Sequence, residues 1–176
     1  MTIWRLRRLH LIACNKKSFV RDRCSWTSLT KLTDKCRRID LRPSVIKWSD
    51  ALSLDSRAFD ETHQEFIRYL SQIAELDGMD LLPVLDRFIE HTQAHFEQER
   101  LWMEDVSYAA LSCHVDEHDS VLEICLEVRK RVVNGDTGFG QFLAHAVFEW
   151  FKEHVKSMDR VLEGFLRDHD YEPKRV

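Results

Sequence analysis

Glycine and proline are scarce in this chain, five and three among 176 residues. An all-β fold spends such residues on many tight turns, so their scarcity speaks for long helices with few reversals. No apolar run approaches the roughly 20 residues that cross a bilayer, and no membrane partner is expected. Cysteine is present five times, an odd number without the spacing of a disulfide framework. That usage fits a reducing compartment, and the cytoplasm is the expected location.

What is present begins with charge, unevenly placed. Residues 1–43 carry 12 Lys and Arg against 3 acids, whereas the remainder carries 14 against 27. The opening Trp4-Arg5-Leu6-Arg7-Arg8-Leu9 looks like the front of a signal peptide. The apolar stretch before Cys14 is only about half a dozen residues and contains His10, whereas a secretory segment needs about 7–15. Residues 1–43 therefore read as a basic, poorly ordered extension, with no nucleic-acid partner expected. Pro43 marks its end. Residues 44–170 read as one domain and 171–176 as a polar, frayed tail.

Within the domain the apolar residues recur at helical spacing. From Asp60, a first stripe runs His63, Phe66, Ile67, Leu70, Ile73 and Ala74, ended by Asp77-Gly78. A second, with Pro83 in its first turn, runs Leu81, Leu85, Phe88, Thr92, His95, Glu99 and Trp102 and stops near Ser107-Tyr108. The third carries Leu111, His114, His118, Val121, Cys125, Val128 and Val132, and Asn134–Gly138 is a loop. The fourth carries Leu143, Val147, Trp150, His154, Met158, Val161 and Phe165. Four helices joined by short loops predict an all-α fold, an antiparallel up-down-up-down four-helix bundle.

The stripes contain residues that do not belong in a core. His63, His95, Glu99, His114, His118 and His154 all lie on faces that should be apolar, distributed over four helices. The pairs His95/Glu99 and His114/His118 are each spaced i,i+4, one turn apart on a common face. Burying unpaired polar groups costs several kcal/mol, and a bound cation removes that cost by taking imidazole lone pairs and neutralising carboxylate. Five imidazoles are too many for one ordinary centre, so a di-metal site in the core is expected. Carboxylates can bridge two cations, and Glu99 is one candidate. Asp159 is the other, but it stands five residues after His154, about 140° around an ideal helix. It must either reach in from the flank or follow a local π-turn. Of the remaining histidines, His91 lies near the edge of its helix's apolar face, His145 faces away from His154, and His10 and His169 fall in the tails.

In Phe59-Asp60-Glu61-Thr62-His63, His95-Phe96-x-x-Glu99, Leu101-Trp102-Met103, His114-x-x-x-His118 and Trp150-Phe151-x-x-His154-Val155-x-x-x-Asp159 the chain resembles the single-domain bacterial hemerythrins. The resemblance covers about residues 46–168 and fills all seven ligand positions of that family in order. It implies two iron ions with an oxo or hydroxo bridge. His114, His118 and His154 would hold one and His63 and His95 the other, which keeps an open position, with Glu99 and Asp159 bridging. The function it implies is reversible O2 binding, for transport, storage or sensing; a monomer is expected, with an oligomer left open. The alternative is a di-iron enzyme handling O2, peroxide, nitric oxide or ferrous iron. Ferritin-like bundles of that kind use Glu-x-x-His pairs, and no Glu-x-x-His occurs in this chain. Trp150, Phe151 and Val155 would form an apolar lid over the open iron. The family pattern is broken at Asp55, where glycine is common, at Thr62 in place of Gln, at Phe151 in place of Leu and at Val155 in place of Ile.

Overall fold

A computed structural model describes residues 45–175, so the basic extension over 1–43 lies outside the described residues. The helices are α1 (Arg57–Glu75), α2 (Leu81–Asp105), α3 (Leu111–Val133), α4 (Phe139–His154) and α5 (Arg160–Asp168). A π-helical turn, Val155–Asp159, joins α4 to α5 without a break, so these three pieces form the fourth rod of the bundle. Short 3₁₀ turns at Asp50–Leu52 and Gly78–Asp80 precede α1 and α2. Among the described residues no helix is long and apolar enough to cross a membrane.

Each rod packs on its two neighbours, and α4 closes the ring against α1. This is the expected antiparallel four-helix bundle. Phe66, Leu70, Ile73, Leu85, Phe88, Cys125, Val132, Leu143 and Ala144 fill its interior. Gly140 allows α4 to start flush against α2, because a Cβ there would collide with the Leu81 side chain.

The first helix starts at Arg57 rather than at Asp60, and it buries Ala58 and Phe59 as well. Asp60 instead holds the loop that enters the helix. Its carboxylate accepts from the Ser53 hydroxyl at 2.6 Å and from the Leu54 amide at 2.8 Å. Asp55 adopts the left-handed region at φ 57°.

Three rods end in the same way. In each, one residue turns left-handed, and the next amide reaches back over a full turn to a free carbonyl. Ser107 (φ 52°) sets Tyr108 N–H on Met103 O at 2.8 Å, and Gly135 (φ 91°) sets Asp136 N–H on Arg131 O at 2.9 Å. Asp170 (φ 51°) sets Tyr171 N–H on Leu166 O at 2.9 Å.

The largest departure from the sequence reading lies beyond His154. The expected stripe Met158, Val161, Phe165 is not the buried face: Val161 is exposed, and Met158 and Phe165 are half-buried. Asp159, Leu162 and Leu166 are buried instead, each one residue further along. The π-turn is the cause. It inserts one residue into the helical repeat and moves everything after it by one position.

The tail also differs from expectation. Instead of fraying, it lies against the bundle: the Tyr171 hydroxyl donates to Asp105 at 2.8 Å, Lys174 O accepts from Gln98 at 2.8 Å, and Arg175 pairs with Glu65.

Candidate metal centre

Each rod delivers polar side chains to one level of the core. α1 brings His63, α2 brings His95 and Glu99, α3 brings His114 and His118, and the fourth rod brings His154 and Asp159. All seven are buried, none more than 5% exposed. The π-turn that displaces the apolar stripe also solves the spacing of Asp159, which comes onto the face of His154 without reaching from the flank.

The distances divide the imidazoles into two sets. His154 Nε2 lies 3.0 Å from His118 Nε2 and 3.1 Å from His114 Nε2. Nitrogens bound at about 2.1 Å to one cation, at right angles, stand about 3 Å apart. His63 and His95 form the second set, with ring centroids 5.1 Å apart.

The two carboxylates span both sets, one oxygen to each. Glu99 Oε1 lies 2.8 Å from His95 Nε2 and 3.8 Å from His63 Nε2, while its Oε2 lies 3.1 Å from His114 Nε2 and 3.6 Å from His118 Nε2. Asp159 Oδ2 lies 3.6 Å from His63 Nε2, while its Oδ1 lies 3.0 Å from His154 Nε2 and 3.2 Å from His114 Nε2. Two groups of donor atoms close enough to hold an ion result: Glu99, His114, His118, His154 and Asp159 in one, and His63, His95 and Glu99 in the other.

Hydrogen bonding does not satisfy this nest. Both carboxylate oxygens of Asp159, Glu99 Oε2 and His63 Nε2 are buried without a hydrogen-bond partner. Burial pushes the Glu99 carboxyl up, but the charge of His95 and its contacts with His114, His63 and His95 hold it well below the ordinary carboxylate range. Asp159 is also lowered: burial and the charge of Glu99 oppose ionisation, and His154 and His114 outweigh them. Burial lowers the His114 imidazole, yet Asp159 and Glu99 together raise it to about 9. His118 is shifted down, by burial first and then by His154 and His114, although Glu99 pulls the other way. Two ionised carboxylates in an apolar interior, with orphan oxygens turned toward imidazole nitrogens, are a donor set for cations. The residues therefore fit a pair of metal ions.

Aromatic rings wall the site on both sides. Phe151 stands edge-on to His63 at 5.0 Å and stacks on Phe66 at 4.7 Å, beside the two-histidine set. Val155 is buried at the start of the π-turn. Trp150 lies by the three-histidine set instead, stacked on His154 at 4.4 Å with its indole N–H donated to Glu117 at 3.2 Å. Phe96 lies flat on His118 at 3.7 Å, and Phe59 stands edge-on to His63 at 5.8 Å. The role of Phe96 against a candidate ligand was missed in the sequence. Its position beside His95 in the motif was the available signal. His91 joins neither donor group.

Comparison with known proteins gives one consistent result. Residues 54–166 match the family model described as the hemerythrin HHE cation binding domain. The chain is 43% identical over 122 residues to a bacteriohemerythrin of Ralstonia nicotianae, covering 69% of this chain and 89% of the relative. It is 21% identical over 130 residues to a bacteriohemerythrin of Stenotrophomonas maltophilia, covering 72% and 84%. Among solved structures, the crystal structure of a hemerythrin mutant superposes with a TM-score of 0.63 at 21% identity, over 69% of this chain and 96% of that one.

Proposed function

The chain belongs to the hemerythrin family, and from that premise we propose that it binds O2 reversibly at a non-haem di-iron centre, as a carrier, a store or a sensor. The observation that supports this reading best is the division of the two carboxylates. Glu99 and Asp159 each turn one oxygen toward the three-histidine set and the other toward the two-histidine set. That is the arrangement of a bridge between unlike metal positions.

His114, His118 and His154 would hold one iron and His63 and His95 the other, with Glu99 and Asp159 shared. When bound, the irons supply the electrons that make O2 capture reversible. The chain's own part is to fix the ligands and keep water out. Glu99 and His63 are completely buried. Phe151 covers the two-histidine side and Phe66 backs it. Val155, also buried, completes that wall in this proposal. Trp150 and Phe96 fix the planes of His154 and His118 by stacking.

The test is to load the protein anaerobically with ferrous iron, count the metal and record optical spectra through cycles of air and deoxygenation. About two irons per chain are expected, as in the bridged carboxylate bundles, with an absorption band that appears with O2 and fades on its removal. His63→Ala should halve the iron and abolish the band. A protein holding two ferrous ions that never shows a reversible band, and instead turns over peroxide or an added reductant, would sink the O2-binding reading in favour of an enzyme.

A further inference from the structure

α1 and α2 form a helical hairpin whose only covalent joint is Leu76–Asp80. Most of the two-histidine half lies toward its other end: His63 is in the second turn of α1, and Glu99 is in the second turn from the end of α2. At that end the hairpin has no loop to close it.

The C-terminal segment supplies the closure. Its left-handed turn at Asp170 reverses the chain after α5. Tyr171 then packs against the core and donates its hydroxyl to Asp105, the last residue of α2. Lys174 O accepts from Gln98, the neighbour of Glu99. Arg175 pairs with Glu65 and stands 3.8 Å from Glu61, two residues to either side of His63. Three of these five residues thus touch the helices of the open end, Lys174 and Arg175 at positions flanking candidate ligands.

Inward of Arg175, polar side chains follow one another. Glu65 Oε2 lies 3.8 Å from His91 Nδ1, and the His91 ring is 6.1 Å from that of His95. The Nε2 atom of His91 is buried and has no hydrogen-bond partner. Elsewhere the two-histidine half is walled by Phe59, Phe66 and Phe151. A solvated species of small size finds polar groups along one line only among these neighbours, and Arg175 lies over its outer end.

We propose that residues 171–175 are a strap that closes the open end of the α1–α2 hairpin and gates the entry of water and small anions to the two-histidine half of the site. The proposal rests on the reading of that half as a metal position. Small ligands enter when Tyr171 and Arg175 let go, so the strap sets how fast they arrive.

The experiment compares iron-loaded wild type with the full-length double variant Tyr171→Phe/Arg175→Glu and with a chain ending at Asp170. Arg175→Glu sets like charge against Glu61 and Glu65. Two rates are read: iron removal from the ferrous protein by a chelator, and azide association with the oxidised protein. Both should rise about ten-fold in each variant, equivalent to about 1.4 kcal/mol off the opening free energy, with helicity and iron content unchanged. A control, Gln141→Ala, removes a contact to Asp77 at the loop end and should leave both rates as in wild type. Equal rates in wild type and the strap variants, all carrying iron, overturn the strap. So does a rise in Gln141→Ala as large as theirs, since general loosening then explains the effect. A wild type that binds no iron overturns the metal reading itself, a result distinct from either.

Discussion

His91 lies one turn before His95 on α2, and spacing alone could not tell whether it ligates. Packing decides. Its ring lies among Phe66, Tyr69 and Glu65, away from the donor atoms of the site. Burial, and then the charge of His95, lowers its pKa to about 4, with Glu65 pulling weakly the other way. The unfolded chain therefore takes up the proton first. Stability from this residue is complete above the ordinary histidine range near 6.5 and is lost as pH falls toward 4. Against His91→Gln, the wild type should lose on the order of 1–2 kcal/mol across that window, solvent on one side having been allowed for. Denaturant midpoints taken at half-unit pH steps check this, and parallel curves for the two proteins would refute it. The same contrast explains which residues could be read from the sequence. Histidine and carboxylate on an apolar stripe stand out because they contradict it. Phe96 and Trp150 do not, because an aromatic residue that orients a ligand looks the same in sequence as one that fills a core.

At the scale of elements, the stripes located four rods and the loops between them, because amphipathic spacing is what a bundle helix must have. Their ends were less legible. Gly135 announces its turn, whereas Ser107 and Asp170 take the same left-handed conformation without glycine, held by the reaching-back amides. The π-turn was only half legible. The five-residue gap from His154 to Asp159 demanded either a flank approach or an extra residue, and the apolar stripe read past it as though the helix were regular. Inserting one alanine after Ser157 tests the register that this turn sets. One more residue would turn α5 by about 100° against α4. Asp159, Leu162 and Leu166 would leave the interior together. Loss of bound iron and about 4 kcal/mol or more of stability is expected. Ser157→Ala should keep both, since that side chain is exposed and bonds only to Glu153 O at 2.6 Å. Asp159→Asn separates the two effects, keeping the helix register while weakening metal binding. An alanine insertion with unchanged iron content and melting temperature would show the register to be dispensable.

For the molecule as a whole, composition and periodicity were enough for the architecture, because stripes on four rods with short connections leave few ways to bury every face. The seating of the tail was not legible. Its contacts join Tyr171 to Asp105 and Arg175 to Glu65, single polar pairs distant in sequence that no periodicity announces. The expensive feature of the whole is the set of seven polar side chains at one level of the core. Ions that bind only the folded chain stabilise it by mass action, about 4 kcal/mol at a thousand times the dissociation constant. Removing iron with a chelator should therefore lower the melting temperature by on the order of 10 °C, and adding ferrous iron back should restore it. A melting temperature indifferent to iron would mean that the polar nest is stable by itself.

The orphan oxygens of Asp159 and Glu99 carry this into the economy of a cell. A chain finished by the ribosome is, on this account, only provisionally finished. Until ions arrive it opens more often, and proteases cut what opens. Its abundance would then follow the nutrient as well as the transcript, and scarcity would clear the protein without any repressor being engaged.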